Sequence, residues 1–283
     1  MTARAVTGGA PRAWSELGKL AAFARRDLLI AWSYRFSFVS DLVSLAGLTL
    51  VFYFLGLLVD PDRLPVYEGT RVTYLEFAVI GLALGMVMQL ALERIAQVVR
   101  AEQLMGTLES LLMTPTSLTT MQLGSVAFDV LYVPLRTAVF LFAVSLAFGL
   151  HMEPAGIAPA ALVLLAFIPF MWGLGIAGAA LILTFRRGGG LLVAAMLVLG
   201  LLSGVYFPAD LLPGWIAATA GANPVAIAIE AIREALLGGA GVGDVLPDAG
   251  MLVIASAGSL TAGAAAFRLA LRRERRLGTL GLY

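Results

Sequence analysis

Six long apolar runs divide the chain, at about 36–59, 74–99, 122–149, 157–184, 190–207 and 249–267. A helix needs about 20 apolar residues to cross the hydrocarbon core of a bilayer, and inside that core each backbone N–H and C=O must be satisfied within the segment. The runs therefore predict an all-α, polytopic integral membrane protein with six transmembrane helices. Composition agrees. Of the residues, 60% are hydrophobic and 13% charged, against about 45–50% and about 25% in soluble domains.

The runs are unequal. The first, third and fourth are clear. The second holds Glu76 near one end and Glu93 and Arg94 near the other. The fifth is short and closes at Gly204 and Pro208. The sixth (MLVIASAGSLTAGAAAF) is rich in Ala, Gly and Ser. Small residues let helix backbones approach closely, so the sixth reads as a packed helix rather than a lipid-bathed one. The span count becomes odd if either of the last two fails to cross.

Orientation follows from basic residues, which concentrate on the cytoplasmic side. Arg4, Arg12, Lys19, Arg25, Arg26 and Arg35 precede the first span. Arg94 and Arg100 follow the second, Arg186 and Arg187 separate the fourth from the fifth, and Arg268, Arg272, Arg273, Arg275 and Arg276 follow the sixth. The other side holds Arg63, Arg71 and Arg233 among many acids, including Asp60, Glu68, Glu153, Glu230, Glu234 and Asp248. Both termini are thus expected in the cytoplasm. The polar N-terminus lacks the apolar core of a signal peptide, so the internal spans are expected to drive insertion.

Three segments read as helices that do not span. Residues 15–33 are amphipathic, with Leu17, Leu20, Ala24 and Leu28 near helical spacing, basic residues beside them, and Trp14 and Trp32 as anchors. Such a helix lies in the membrane interface. Residues 100–115 carry an apolar stripe of Leu104, Leu108, Leu111 and Leu112, and Pro115 stops the helix at or before Thr114. Residues 223–238 begin with an N-cap at Asn223 and Pro224 in the first position, and Gly238 suits the C-terminal cap. That segment is too short to cross. With Glu230, Arg233 and Glu234 on one polar face, it is expected to lie in the outer leaflet or to be re-entrant. The resulting organisation is a flexible 1–14, an interfacial helix at 15–35, a six-span domain at 36–270 and a basic tail at 271–283.

Little in the chain supports catalysis. There is no cysteine, and His151 is the single histidine, so thiolate chemistry and histidine clusters are excluded. No phosphate-cradling GxxxxGK[ST] loop occurs, and RRGGG at 186–190 reads as a turn, since no strand precedes it. A net charge of +1 gives no reason to expect a nucleic-acid partner. The chain is expected to be no enzyme and to bind no metal or cofactor of its own.

The stretch Glu102-Gln-Leu-Met-Gly106-Thr107-Leu108-Glu109-Ser-Leu-Leu112-Met-Thr114-Pro115 resembles the E…GTLE.LL.TP signature of ABC type-2 transporter permeases. Farther on, Leu202-Ser203-Gly204-Val205-Tyr206-Phe207-Pro208, then Leu212-Pro213-Gly214-Trp215, then Asn223-Pro224 and Arg233, resemble a second pattern of the same family. The likeness runs from about residue 20 to the C-terminus.

The resemblance implies the membrane subunit of an ATP-driven exporter in a bacterial cytoplasmic membrane, of the multidrug, lipid or polysaccharide type. It implies pairing with a second permease copy or paralogue, and docking of a separate ATP-binding subunit that holds the ATP and Mg. It makes residues 100–115 a cytoplasmic coupling helix, with Glu102, Leu104, Gly106, Thr107, Leu108, Glu109, Leu111 and Leu112 at the contact. A short amphipathic helix can seat its apolar ridge in a groove of such a partner. It also implies an outer gate near Tyr206, Phe207 and Trp215, which otherwise read as an interfacial aromatic belt. The substrate would be amphipathic or lipid-like.

Three charges fall inside apolar runs: Asp41, Asp129 and Arg136. Ionisable groups in a membrane are costly and are usually paired or functional. They are read either as an intramembrane ion pair, for example Asp41 with Arg136, or as polar contacts in the substrate path. Two other functions remain open on these residues: a secondary transporter driven by an ion gradient, and a membrane-embedded scaffold or enzyme. The first would want deeper acidic relays and an inverted repeat; the second, a nucleophile, metal site or acid pair.

Overall fold

A computed structural model describes residues 25, 28–29, 35–60, 64–67, 69–104, 129–185, 189–208, 213–214 and 221–277. These form seven α-helices, a short hairpin, a 3-10 turn at Pro154–Gly156 and a π-helical turn. The interfacial segment at 15–35 lies almost wholly outside the described residues.

Helix α1, Arg35–Gly56, presents Val43, Val51 and Phe54 outward. Its hydroxyls are kept from the apolar surroundings: Ser44 and Thr49 donate to the carbonyls of Ser40 and Leu45, four residues back. Strands β1, Val66–Tyr67, and β2, Thr70–Arg71, pair antiparallel through a turn in which Gly69 takes φ 80°. This hairpin departs from the all-α expectation; β-favouring Val, Tyr and Thr flank a glycine that accepts the left-handed backbone.

Helix α2, Tyr74–Leu104, is the central element. Its start is a capping box. The Thr73 N–H and hydroxyl both contact Glu76 Oε2 at 2.8 and 2.9 Å, and the Glu76 N–H donates to the Thr73 hydroxyl. Glu76 therefore caps the helix start. The helix runs beyond the expected span end at 99, so the segment expected as a separate helix at 100–115 begins inside α2. No helix-breaking residue separates the two.

Helix α3, Asp129–Phe148, contains Pro134, and α4, Ile157–Phe185, contains Pro169. Helix α5 is Gly189–Leu202, and α6 is Pro224–Arg233. The Asn223 side chain accepts from the Val225 N–H at 3.0 Å, which bears out the N-cap. The C-terminal end differs. A π-helical turn, Glu234–Gly238, continues the chain, and the left-handed cap is Gly239 at φ 78°, one residue past the expected Gly238. Helix α7, Val242–Leu277, is far longer than the run at 249–267 and absorbs the first part of the expected tail.

Among the described residues, three helical segments are long and apolar enough to cross a membrane: Tyr74–Leu92, Pro154–Phe185 and Val242–Glu274. Shorter apolar helices occur at Val43–Gly56, Tyr132–Phe148 and Val193–Leu202.

Helices α4 and α7 are packed backbone to backbone. A methyl group on Gly263 would collide with the Gly173 carbonyl, and one on Gly173 with Ser259. Ser256 and Ser259 reach across to the carbonyls of Ala166 and Phe170 at 2.9 and 3.0 Å. Small residues thus set the interface, as expected. The expectation of a helix shielded from its surroundings is corrected, however: only 22% of the apolar stretch of α7 is buried, and Val253, Ile254 and Leu269 point outward. A single small-residue face packs; the rest of the circumference has no neighbour among the described residues.

Candidate functional site

The loop after α5 is tied to α2, and to α6 and its N-cap, by side-chain hydrogen bonds. Helix α5 ends at Leu202, leaving carbonyls without intrahelical partners. Gly204 takes φ 69° and turns the chain. One guanidinium nitrogen of Arg233, Nη2, donates to the carbonyls of Gly204 at 3.0 Å, Val205 at 3.3 Å and Phe77 at 3.2 Å. The guanidinium carbon lies over the Phe77 ring, 3.4 Å from its centroid, within the range of a cation–π contact. Gly81 makes room: a methyl there would overlap the Val205 carbonyl oxygen.

The rest of the loop is held similarly. The Asn223 amide donates to the Ser203 hydroxyl at 3.0 Å. The Tyr74 hydroxyl donates to the Tyr206 carbonyl at 3.0 Å. Phe52 stacks on Tyr206, centroids 6.0 Å apart. Ser203, Gly204, Tyr206, Asn223 and Arg233, spread over 31 residues of the second sequence pattern, meet in one knot.

Arg233 overturns an expectation. It is 2% exposed, while Glu230 on the same helix is 49% exposed. The two do not share a solvated face, although their charges approach to 3.7 Å. Three residues correspond to about 300° of helical rotation, and Arg233 falls on the apolar arc with Ile229 and Leu236, both buried. That spacing, four after one apolar residue and three before another, is the signal that could have revealed it. Burial lowers the pKa of Arg233, and the Tyr67 hydroxyl and the Glu230 carboxylate push it back up. The Tyr67 hydroxyl is buried with no hydrogen-bond partner among the described residues. Burial, then the Glu230 charge, drives its pKa upward.

On the α2 side of this knot lies a cavity of about 460 Å³. Its walls come from α1 (Ser44, Leu45, Leu48), α2 (Leu82, Gly85, Met86, Met88, Gln89), α3 (Arg136) and α5 (Val193, Met196, Leu197, Gly200), with Val205 and Tyr206 of the loop. The knot and the cavity therefore share Val205 and Tyr206. Arg136 is 6% exposed and is the one charged side chain among the described residues of the lining.

Of the charges expected inside the spans, Asp129 is buried in the first turn of α3. An acid there is favoured by the helix dipole. It does not line the cavity. The backbone of Asp41 lies in α1, but its side chain falls outside the described residues, and so does the expected Asp41–Arg136 pair. Tyr206 and Phe207 are half-buried in the loop; Trp215 is outside the described residues. Glu102 and Leu104 sit in the last turn of α2, while Gly106, Thr107, Leu108, Glu109, Leu111 and Leu112 lie beyond it, outside the described residues. Among the described residues no three His, Asp or Glu side chains converge as a metal site would require.

A model of the ABC-2 type transporter family matches residues 19–237. No curated protein matches the chain.

Proposed function

The chain belongs to the ABC-2 type transporter family, and from that premise we propose that it is the membrane-spanning permease subunit of an ATP-driven exporter. The family is one of transport permeases rather than catalysts. In this reading six spans cross the membrane, α2, α4 and α7 with the shorter α1, α3 and α5. The knot faces outward, and the basic residues from Arg268 to Arg276 face the cytoplasm. The charge distribution supports that orientation, because Lys and Arg are retained on the cytoplasmic side. Two such permeases form the translocation path.

The observation that carries the reading is the cavity of about 460 Å³ among α1, α2, α3 and α5. Its volume suits a drug-sized ligand, and apolar groups dominate its walls. A path for an amphipathic or lipid-like substrate needs such a chamber, open to the membrane or cytoplasm and closed on the outer side. Tyr206 and Val205 supply the closure, and the Arg233 knot holds them shut.

ATP binding and hydrolysis are assigned to a separate subunit. The residues from Glu102 to Leu112 would dock on it, Leu104, Leu108, Leu111 and Leu112 inserting as one ridge. The test is copurification of an ATP-binding subunit with the chain, followed by transport and ATPase assays in proteoliposomes. Leu108→Asp should abolish substrate-stimulated ATPase activity while leaving the permease folded. Full coupling in that variant would overturn the docking assignment. Transport that persists without ATP but stops when ion gradients are collapsed would replace the exporter reading with a secondary transporter.

A further inference from the structure

A second cavity, of about 440 Å³, lies among α2, α3, α4 and the end of α6, and shares no residue with the first. Its floor is buried, formed by Ile80, Leu84, Leu164 and Leu236. Its lips are exposed: Ala138 and Phe142 on α3, Ile157 and Ala161 on α4. The members of each pair are four residues apart and so stack along one helix face. Phe142 is 71% and Ile157 62% exposed, so the slot opens between α3 and α4 to whatever surrounds them.

No charged side chain is among the described residues that line it. Its two hydroxyls are already used. Thr137 donates to the Val133 carbonyl and Ser145 to the Leu150 carbonyl, both at 2.9 Å. A buried water needs two to four polar partners, and these side chains do not supply them. An apolar void left empty forfeits the dispersion contacts of its lining. Hydrocarbon is the filling that such walls suit.

The dimensions choose among hydrocarbons. The slot follows α3 from Ser145, near the end of that helix, to Pro134 in its interior. At 1.5 Å per residue that is about 16 Å, half of the roughly 30 Å hydrocarbon core and so the depth of one leaflet. Averaged over that length, the cross-section is about 27 Å². A helix about 10–12 Å across needs about 80 Å² or more, so a helix from a second copy of the chain does not fit. One extended chain does. The segment Pro154–Phe185, which carries one lip, is long and apolar enough to cross a membrane, and the hydrocarbon beside it there is lipid.

We propose that this slot binds one acyl chain of a membrane phospholipid, with the headgroup at the turn between α3 and α4 and the chain end near Pro134. The site is separate from the substrate cavity. It requires insertion in a membrane and does not depend on ATP-driven export. Ile232, beside Arg233, also lines the slot, so the bound chain backs the helix that carries the knot.

The native full-length chain would be placed in phosphatidylcholine nanodiscs in which some of the lipid carries a diazirine at the middle of one acyl chain. After irradiation, adducts are mapped by mass spectrometry. The buried floor residues Leu84, Leu164 and Leu236 should be labelled, together with the outward-facing Ile254. Ala161→Phe sets a ring into the slot from its lip; floor adducts should then be lost while those at Ile254 persist. Adducts confined to exposed residues of the native protein would overturn the proposal, since another segment of protein, or nothing, would then occupy the slot. Floor adducts that survive in a folded Ala161→Phe variant would overturn it as well. The native map needs no substitution, so it decides even if the variant fails to fold.

Discussion

The guanidinium carbon of Arg233 lies 3.4 Å from the centroid of the Phe77 ring, and the same side chain donates to the Phe77 carbonyl. One cation thus holds both the ring and the backbone of a residue near the start of α2. Because it also gathers the carbonyls of Gly204 and Val205, it joins α2, α6 and the end of α5 at a single point.

Arg233→Lys keeps the charge but loses the planar guanidinium that lies over the Phe77 ring while its Nη2 reaches three carbonyls. Buried acceptors left without donors cost about 1–3 kcal/mol each, so a clear drop in melting temperature in detergent is expected. If the variant melts with the native protein, the knot is not what holds the loop.

Gly81→Ala should be among the most disruptive single-methyl additions, because the new carbon overlaps the Val205 carbonyl. Overpacking of this kind costs about 1–3 kcal/mol. Gly47→Ala is the matched control: nothing lies within 4 Å of its added carbon, and the gain in helix propensity is up to about 1 kcal/mol. Thermal stability should fall for the first and hold or rise for the second.

Tyr67→Phe removes a buried hydroxyl that has no hydrogen-bond partner among the described residues, so stability at neutral pH should be unchanged or slightly improved. The alkaline limb is more telling. The folded pKa of Tyr67 is raised by burial, so the folded state keeps its proton above pH about 10, where the unfolded chain releases it. Stability linked to this group is full below about pH 10 and declines above it. Tyr67→Phe should flatten that decline, as read from unfolding midpoints at pH 9 to 11; an unchanged slope would show that Tyr67 contributes nothing to it.

Gly263→Val should separate α7 from α4. The Gly173 carbonyl occupies the place a side chain would take, and the Ser256 and Ser259 bonds to α4 would stretch with it. Cysteines introduced at Ser256 and Ala166 in the otherwise cysteine-free chain should crosslink with the native glycine and much less with valine.

Much of this was legible from the order of residues. The apolar helices, the Asn223–Pro224 helix start and the Glu76 cap each depend on neighbours within a turn or two, and a sequence displays those neighbours directly. The same local evidence erred at the other end of that short helix, where a π turn moved the cap to Gly239, and it did not foresee the hairpin at Val66–Arg71. It also brought Tyr206, Asn223 and Arg233 into one pattern without indicating what they do to one another.

What only the tertiary structure decided is which polar groups go inside. Arg233 read locally as part of a solvated face with Glu230. Its burial depends on a carbonyl 156 residues away in α2 and another 29 residues away after α5, and on Gly81 leaving space for them. Arg136 read as half of an ion pair or, less readily, as a substrate contact; its place on a cavity wall came from four helices converging. Apolar periodicity is a property of a segment and survives reading in one dimension. A buried charge is stable only where acceptors from distant segments are delivered to it, and that delivery is made by the fold.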